Sequence, residues 1–197
     1  MTTLVDESVR EMPIESRICT AYPDLGRVGP YVRNIAVAYE RGIEEAIRNL
    51  LSLGHRRTGF IGGSERLRSL QRRHAAFSDF TLGGGYVACS KLLTGFSPTA
   101  IAAMNDIAAV GALRCATDCG VRVHDDLSAI GFDDITAAEF SQPALTTVGI
   151  PRDRIGVPAF QALREMPDSK SHEGAEYRVT PKLAIRESRG AARTEGR

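Results

Sequence analysis

The chain has 197 residues, of which 43% are hydrophobic and 25% are charged, and its net charge is +1. This is enough apolar material for one large globular domain or two small lobes, and the near-neutral charge excludes the overall basic excess of many nucleic-acid and membrane-surface proteins. No apolar stretch approaches the roughly 18 residues that span a bilayer, and residues 1–11 are polar and acidic, unlike a secretory signal, so we expect a cytoplasmic protein with no membrane partner.

Strand and helix patterns alternate along most of the chain. Short apolar runs predict buried strands, and apolar residues that recur every three or four positions predict helices. Residues 1–36 are irregular, apart from a weak strand pattern at Arg17–Ala21. The other predicted elements are a helix from Val37 ended by Gly54, a strand at Thr58–Ile61, a helix at Glu65–Phe77, a short segment at Ser78–Phe80, a helix at Tyr86–Leu93, a strand at Ala100–Met104, a helix at Asp106–Cys119, a strand at Leu127–Phe132, a short helix at Ile135–Phe140, a strand or crossover at Leu145–Ile150, a helix at Arg152–Arg164 and a last strand within Tyr177–Arg186. This alternation predicts an α/β fold with a parallel sheet.

Two glycine-rich stretches match no phosphate-binding motif. Gly62–Gly63 precede Ser64, a good helix N-cap, and Gly83–Gly85 precede the helix at Tyr86. Neither stretch fits GxxxxGK[ST] or GxGxxG, so we interpret both as tight turns. We interpret His55–Arg57 as cations at the end of a helix rather than as a nucleic-acid contact.

The four cysteines and four histidines form no metal-ligand or disulfide pattern. Cys115 and Cys119 share one face of a predicted helix, but no further thiol or imidazole adjoins them, so a buried structural role is favoured. HExxH, Walker and nucleophile–base patterns are absent from the sequence. We therefore predict no metal, no cofactor and no enzymatic activity.

Two predicted strands end abruptly in polar side chains. The strand at 100–104 is followed by Asn105–Asp106, and the strand at 127–132 is followed by Asp133–Asp134. Because ligands of open α/β sheets bind beyond the carboxyl ends of parallel strands, these pairs predict a site for a small polar molecule. The same residue types cap helices and start turns, and we favour ligand binding for the first member of each pair and capping for the second.

Six segments of the chain, in order, carry a recognisable pattern. They are AIRNLLSLGHRRTGFIGG at 46–63, QRRHAAF at 71–77, SDFTLGGGY at 78–86, the run PTAIAAMNDIAAVGALRCATDCGVRVHDDLSAIGFDDI at 98–135, PALTTVGIPRDRIG at 143–156 and PKLAIRES at 181–188. Together they resemble the effector-binding core of the lactose repressor and galactose repressor (LacI/GalR) family of bacterial transcription regulators. The resemblance implies a type I periplasmic-binding-protein-like α/β fold, with parallel sheets and helices on both faces, a nearly complete C-terminal lobe and a partial N-terminal lobe.

The resemblance also implies how the chain divides. Residues 1–37 are expected to be a remnant of the N-terminal lobe, 38–148 the C-terminal effector-binding lobe, 149–174 a crossover helix belonging to the N-terminal lobe, 175–188 a final strand returning to the C-terminal lobe, and 189–197 a disordered tail.

Carried over residue by residue, the resemblance implies four effector contacts. Arg73 matches an arginine that clasps hydroxyls or a carboxylate, and Phe80 matches an aromatic that stacks on a sugar or a base. Asn105 and Asp133 match the amide and carboxylate that bind polar groups of the ligand from the strand ends. The effectors of the family include sugars, sugar acids and purines. Without the resemblance, Arg73 is interpreted as a solvated helix arginine and Phe80 as a core residue.

Two departures from the family pattern shape the functional prediction. The helix-turn-helix headpiece and the hinge helix of the family are not found in the chain. Too few residues separate Arg73 from Phe80 for a helix end, a turn and a full strand, so we expect an internal deletion that removes one strand and leaves its neighbours as exposed edges. We predict the effector-binding domain of a DNA-binding repressor that reaches operator DNA only through a headpiece this chain lacks. Its expected protein partner is a second copy or a full-length relative.

Other functional classes remain as alternatives. The two departures also fit a nonfunctional gene fragment or a mis-called start codon, which the DNA upstream of Met1 would distinguish. A free-standing sugar-binding transport protein is less favoured, because no export signal is present.

Overall fold

The computed structural model describes residues 19–23, 31–62, 75–165 and 176–193. The strands are β1 (Thr20–Pro23), β2 (Val32–Val37), β3 (Thr58–Gly62), β4 (Ala75–Phe77), β5 (Ala100–Ala103), β6 (Ser128–Asp133), β7 (Thr146–Gly149), β8 (Glu176–Val179) and β9 (Lys182–Ala184). The helices are α1 (Tyr39–Ser52), α2 (Leu82–Gly95), α3 (Asp106–Asp118), α4 (Thr136–Glu139) and α5 (Asp153–Glu165). None of these helices is long and apolar enough to cross a membrane. The chain forms two compact units, Met1–Arg41 with Ile150–Pro181 and Gly42–Gly149 with Lys182–Arg197.

The smaller unit contains a three-stranded parallel sheet in the order β1-β2-β8, and α5 packs against all three strands. Its central strand β2 is buried on both faces, since Val32, Arg33, Asn34 and Ile35 are all buried. The Asn34 side chain donates a hydrogen bond of 3.0 Å to the carboxylate of Glu176 on β8. Arg33 and Asn34 interrupt the apolar run of β2, so the sequence pattern does not predict this strand.

The larger unit contains a six-stranded sheet in the order β4-β3-β5-β6-β7-β9. The first five strands are parallel, and β9 pairs with β7 in the antiparallel sense. The α/β fold with a parallel sheet is confirmed, as are the strands predicted near residues 58–61, 100–104, 127–132 and 145–150. Parallel pairing places the carboxyl ends of β4, β3, β5 and β6 along the same edge of this sheet.

Helices α2 and α3 pack closely where each presents a glycine. A Cβ atom at Gly85 would collide with the backbone of α3, and one at Gly111 would collide with the backbone of α2. One turn further along, Cys89 and Cys115 are each 0% exposed, and burial raises the pKa of the Cys89 thiol. Cys115 therefore has the buried position predicted for it, whereas Cys119 is exposed.

Residues around β4 correct two predictions. The helix predicted at Glu65–Phe77 is wrong for its last three residues, because Ala75–Phe77 form a strand that pairs in parallel with β3. Residues 63–74 lie outside the described ranges. The strand expected to be lost is thus present in shortened form, and β3 has a strand on each side instead of an exposed edge.

The glycines at 83–85 are part of a helix. Helix α2 begins at Leu82, and the Thr81 hydroxyl caps it by accepting a hydrogen bond of 3.0 Å from the Gly84 amide. The prediction of a tight turn at Gly83–Gly85 is therefore wrong, because the close approach of α3 favours glycine inside the first turns of α2.

The C-terminal segment also differs from expectation. Instead of one final strand within residues 175–188, there are two strands, β8 in the smaller sheet and β9 in the larger one. Beyond them, the Gly190 amide donates to the Ser128 hydroxyl at 3.0 Å, and the Ala192 amide donates to the Leu53 carbonyl at 2.8 Å. Gly190 and Ala192 are therefore hydrogen-bonded to the larger unit, within the stretch for which disorder was expected; residues 194–197 of that stretch lie outside the described ranges.

His55 has a different role from the one predicted. Its side chain is only 2% exposed. Nε2 lies 3.0 Å from the Gly190 carbonyl, and Nδ1 lies 3.0 Å from the Thr99 hydroxyl. Because a carbonyl only accepts, Nε2 donates to Gly190. Burial lowers the pKa of His55, so the prediction that it acts as a cation at the end of the helix is wrong.

Candidate functional site

The candidate site lies where the parallel strands of the larger sheet end. We call this region the carboxyl edge and define it by Phe80 after β4, Asn105 after β5 and Asp133 at the end of β6. These are three of the four effector contacts that the family resemblance implies. The fourth, Arg73, lies outside the described residues.

Asn105 connects the segment around Phe80 to helix α3. Its side-chain oxygen accepts a hydrogen bond of 2.9 Å from the Ala108 amide and so caps α3. Its side-chain nitrogen donates to the Phe80 carbonyl at 3.1 Å. Phe80 has φ +66° and its side chain is 47% exposed. An amide group has a second N–H and a second lone pair, so these bonds leave Asn105 the capacity to bind a polar ligand.

Asp133, the last residue of β6, and Asp134 after it form a turn in which both residues have positive φ angles. Asp133 has φ +109° and Asp134 has φ +50°, which is unusual backbone geometry for residues other than glycine. Arg186 holds the turn through a 2.7 Å ion pair with Asp134, and it also donates to the Leu145 carbonyl at 2.9 Å. The Asp134 amide donates to the Thr147 hydroxyl at 3.4 Å. The turn is thus attached to β7 and to the segment after β9.

Asp106 lies beneath this turn and is fully buried, at 0% exposure. One carboxylate oxygen accepts a hydrogen bond of 2.5 Å from the Thr147 hydroxyl, and the other accepts one of 2.9 Å from the Ile135 amide. Burial raises the pKa of Asp106 to about 6. The hydrogen bonds from Thr147 and Ile135 act in the opposite direction, and the charges of Asp133 and Asp134 raise the pKa further.

The capping roles predicted for Asn105 and Asp106 are reversed in the structure. Asn105 is the N-cap of α3, because it has the extended backbone that this position requires. Asp106 is the first helical residue and bonds across to Thr147 and Ile135. Asp134 was predicted to be a cap, yet α4 has no side-chain cap, and Asp134 pairs with Arg186 instead.

Sequence reasoning missed Thr147 and Arg186 as parts of this site. Thr147 lies within the run LTTVGI, where a β-branched residue is explained by strand propensity alone. Arg186 and its partner are 52 positions apart in the chain. No local pattern marks either residue, because each contact joins residues that are more than 40 positions apart in the chain and meet only in the folded protein.

The arrangement is suited to hydrogen bonding of a small polar molecule. The edge offers a carboxylate at Asp133, an amide at Asn105 and an exposed aromatic ring at Phe80. Such a set can bind vicinal hydroxyls and cover the apolar face of a sugar ring or a base. Among the residues that the structure describes, no group of three or more His, Cys, Asp or Glu side chains is arranged to hold a metal ion.

Parallel α/β units with polar residues at their strand ends define a class of small-molecule-binding proteins. Residues 81–189 match the family described as periplasmic binding protein-like domain. The chain belongs to this family, in the form found as the effector-binding core of LacI/GalR-type transcription regulators.

Individual relatives support this assignment. The HTH-type transcriptional repressor PurR of Yersinia pestis (strain Pestoides F) is 33% identical over 211 residues, which cover 87% of this chain and 61% of the repressor. The chain therefore spans less than two thirds of the length of this relative. Because the aligned region is longer than the 197 residues of this chain, the repressor has residues within it that this chain lacks.

Solved structures share the fold. A LacI family regulator from Enterococcus faecium with bound ribose has a TM-score of 0.82 and 22% identity, over 98% of this chain and 78% of that chain. The CelR regulator in complex with cellobiose has a TM-score of 0.78 and 25% identity, over 93% of this chain and 62% of that chain.

Proposed function

We propose that the larger unit binds a small polar effector at its carboxyl edge, and that the chain is the effector-binding part of a LacI/GalR-type transcriptional repressor. The observation that carries the proposal is the grouping of Phe80, Asn105 and Asp133 at the ends of three strands of one sheet. Phe80 and Asp133 have positive φ angles, and residues other than glycine that adopt such angles often occur at binding sites.

The charges at the site favour a neutral effector. Asp133 and Asp134 are acidic, Asp106 lies directly beneath them, and Arg186 is already paired with Asp134. An anionic ligand would be repelled by these carboxylates unless Arg73, the fourth proposed contact, compensated for them. We therefore favour a neutral sugar or a purine over a sugar acid.

A ligand screen tests the proposal. The purified chain is titrated with ribose, cellobiose, gluconate and hypoxanthine, and binding is measured by thermal shift and isothermal calorimetry. We expect at least one of the neutral compounds to raise the melting temperature in a saturable manner and gluconate to have a smaller effect. If none of the four compounds binds, the proposal is contradicted.

Matched variants locate the site. Asp133→Asn removes a charged hydrogen-bond acceptor and should weaken binding by about 10-fold or more. Asp125→Asn is the control, because Asp125 precedes the amino end of the same strand. Phe80→Ala should also weaken binding, whereas Phe160→Ala removes an aromatic ring that is 67% exposed on α5 and should not. Equal effects of Asp133→Asn and Asp125→Asn would show that the ligand binds elsewhere.

We further propose that the chain pairs in the cytoplasm with a second copy or with a full-length relative. Contact with operator DNA is assigned to a helix-turn-helix headpiece, as the PurR name indicates for that relative. Exposed apolar side chains on α2 support pairing, since Leu82 and Val87 are each 52% exposed. Sedimentation velocity should show a dimer that Val87→Glu dissociates. Val157→Glu, at a residue 59% exposed on α5, should leave the dimer intact.

A further inference from the structure

We propose that Asp106 is the positioning residue of the candidate site: through Ile135 and Thr147 it holds the Asp133–Asp134 turn in the conformation that presents Asp133 to an effector. The inference rests on the proposed function, in which Asp133 contacts the effector. Asp106 does not contact the ligand in this proposal and acts only through the turn.

The hydrogen bonds around the turn support this role. Ile135, which follows the two aspartates, donates its amide to Asp106 at 2.9 Å. Thr147 donates its hydroxyl to the other carboxylate oxygen at 2.5 Å and accepts from the Asp134 amide at 3.4 Å. Asp106 therefore fixes one backbone amide of the turn directly and a second one through Thr147. These bonds lie on the C-terminal side of Asp133, whose φ is +109°.

The space around Asp106 is shaped for a carboxylate. A Cβ atom on Gly131 of β6 would collide with one of the carboxylate oxygens, so only glycine leaves room for Asp106 at this point of the strand. The fully buried side chain has both oxygens hydrogen-bonded to groups that donate. Burying a carboxylate is unfavourable unless such bonds are made. Capping of α3 does not explain why Asp106 is buried, because Asn105 already caps this helix.

The protonation state of Asp106, and with it the hydrogen bonds that hold the turn, depends on pH and on the charges that face this residue. Asp133 and Asp134 face it from the turn, Arg186 lies behind Asp134, and the contacts from β7 and from the start of α4 are uncharged. Protonation would replace one accepting oxygen of Asp106 by a hydroxyl and so weaken the bond to Ile135 or to Thr147. The turn should therefore loosen as the pH falls through about 6, the pKa of the buried carboxyl.

Backbone amide resonances test the inference without a ligand. ¹H–¹⁵N spectra of the full chain are recorded from pH 7.5 to pH 5. In the wild type we expect the amides of Asp133, Asp134 and Ile135 to shift together, with a midpoint near pH 6. Asp106→Asn should remove this transition and displace the Asp133 amide at every pH. Asp118→Asn, at the other end of α3, is the control and should leave the transition unchanged.

Two results would overturn the inference. One is an Asp133 amide in Asp106→Asn that coincides with the wild type at every pH. The other is a wild-type titration in which the amides of the turn do not move. If Asp106→Asn does not fold, Thr147→Val supplies the test, because it removes the link to Asp134 and should displace the Asp133 amide.

Ligand affinity separates this inference from the proposed function. With ribose, cellobiose or hypoxanthine, whichever binds in the screen, the wild-type dissociation constant should increase about tenfold from pH 7 to pH 5, as expected for a group that titrates at about 6. Asp106→Asn should show no such change. Absence of binding by all of the probes would contradict the proposed function, whereas the amide titration would still decide the role of Asp106.

Discussion

The two edges of the larger sheet each hold a buried titratable side chain, and they use it differently. At the amino edge, defined by His55, Thr99, Ser128 and Gly190, the imidazole joins a hydroxyl to the main chain of the C-terminal segment. All of these contacts are internal to the fold. At the carboxyl edge, Asp106 supports a turn and leaves residues beside it accessible to solvent.

The difference shows that a buried, hydrogen-bonded titratable side chain can either stabilise packing or support a turn whose neighbouring residues are accessible to solvent. A buried polar group is tolerated only when its hydrogen bonds are satisfied, and both His55 and Asp106 meet this condition. Around His55, the C-terminal segment covers the site, so the bonds stabilise packing. Beside Asp106, the ring of Phe80 at the carboxyl edge is 47% exposed. The carboxyl edge is the one we propose binds an effector.

Removing the imidazole at the amino edge should have the largest effect on stability. His55→Ala deletes a fully packed ring and leaves the Gly190 carbonyl and the Thr99 hydroxyl without this partner. We expect the free energy of unfolding to fall by about 3 kcal/mol, measured by urea denaturation. His124→Ala, at a histidine with a 58% exposed side chain, is the matched control and should change stability little. Equal losses in the two variants would remove the contrast between the edges.

The two edges should respond to acid in opposite directions. The folded pKa of Asp106, about 6, lies above that of an unfolded aspartate, so its contribution to stability is complete below about pH 4 and is lost as the pH rises through 6. The stability of the wild type relative to Asp106→Asn should therefore increase by about 2 kcal/mol from pH 7 to pH 4.5.

The contribution of His55 to stability changes with pH in the opposite direction. Burial lowers its folded pKa, so its contribution is complete above the unfolded value and is lost as the pH falls. The stability of the wild type relative to His55→Ala should decrease on acidification. Urea denaturation of the three proteins at several pH values measures both trends, and trends of the same sign would contradict the comparison.

A glycine in the Asp133–Asp134 turn should raise the stability of the protein and abolish effector binding. Asp133→Gly replaces a residue at φ +109° and removes a negative charge near Asp106. We expect the free energy of unfolding to rise by about 0.5 kcal/mol, since glycine adopts this conformation without strain, while effector binding is lost. Asp125→Gly, where φ is not positive, should instead lower stability by a similar amount. A loss of stability in Asp133→Gly would show that the contacts of the Asp133 side chain stabilise the fold by more than the backbone strain at its positive φ destabilises it.

A further difference between the two edges concerns their ion pairs. Asp134 and Arg186 have side chains only 35% and 20% exposed, whereas Arg122, which pairs with Asp126 near the amino edge, is 69% exposed. A double-mutant cycle should give a coupling energy of about 1 kcal/mol for the carboxyl-edge pair. The amino-edge pair should show weaker coupling that disappears in high salt. Stronger coupling at the amino edge would contradict this ranking.

Local patterns predicted most of the larger unit. Apolar runs indicated β3, β5, β6 and β7, and helical periodicity indicated α1 and α3. The polar residues after β5 and β6 indicated the carboxyl edge, because the ends of parallel strands meet there. The predictions failed where the outcome depends on distant neighbours. The short run Ala75–Phe77 is compatible with the end of a helix, and it forms a strand because the free side of β3 is available to pair with it.

The amino-acid sequence by itself determined the α/β class, the order of the main strands, the family, and the pairs of polar residues at the strand ends. These features follow from the periodicity of neighbouring side chains and from collinear motifs. Only the tertiary structure decided that Asn105 caps α3 while Asp106 is buried, that Arg186 pairs with Asp134, and that His55 is held by Gly190. These roles are set by contacts between residues far apart in the chain, and hydrogen-bonding capacity alone does not select one partner among many.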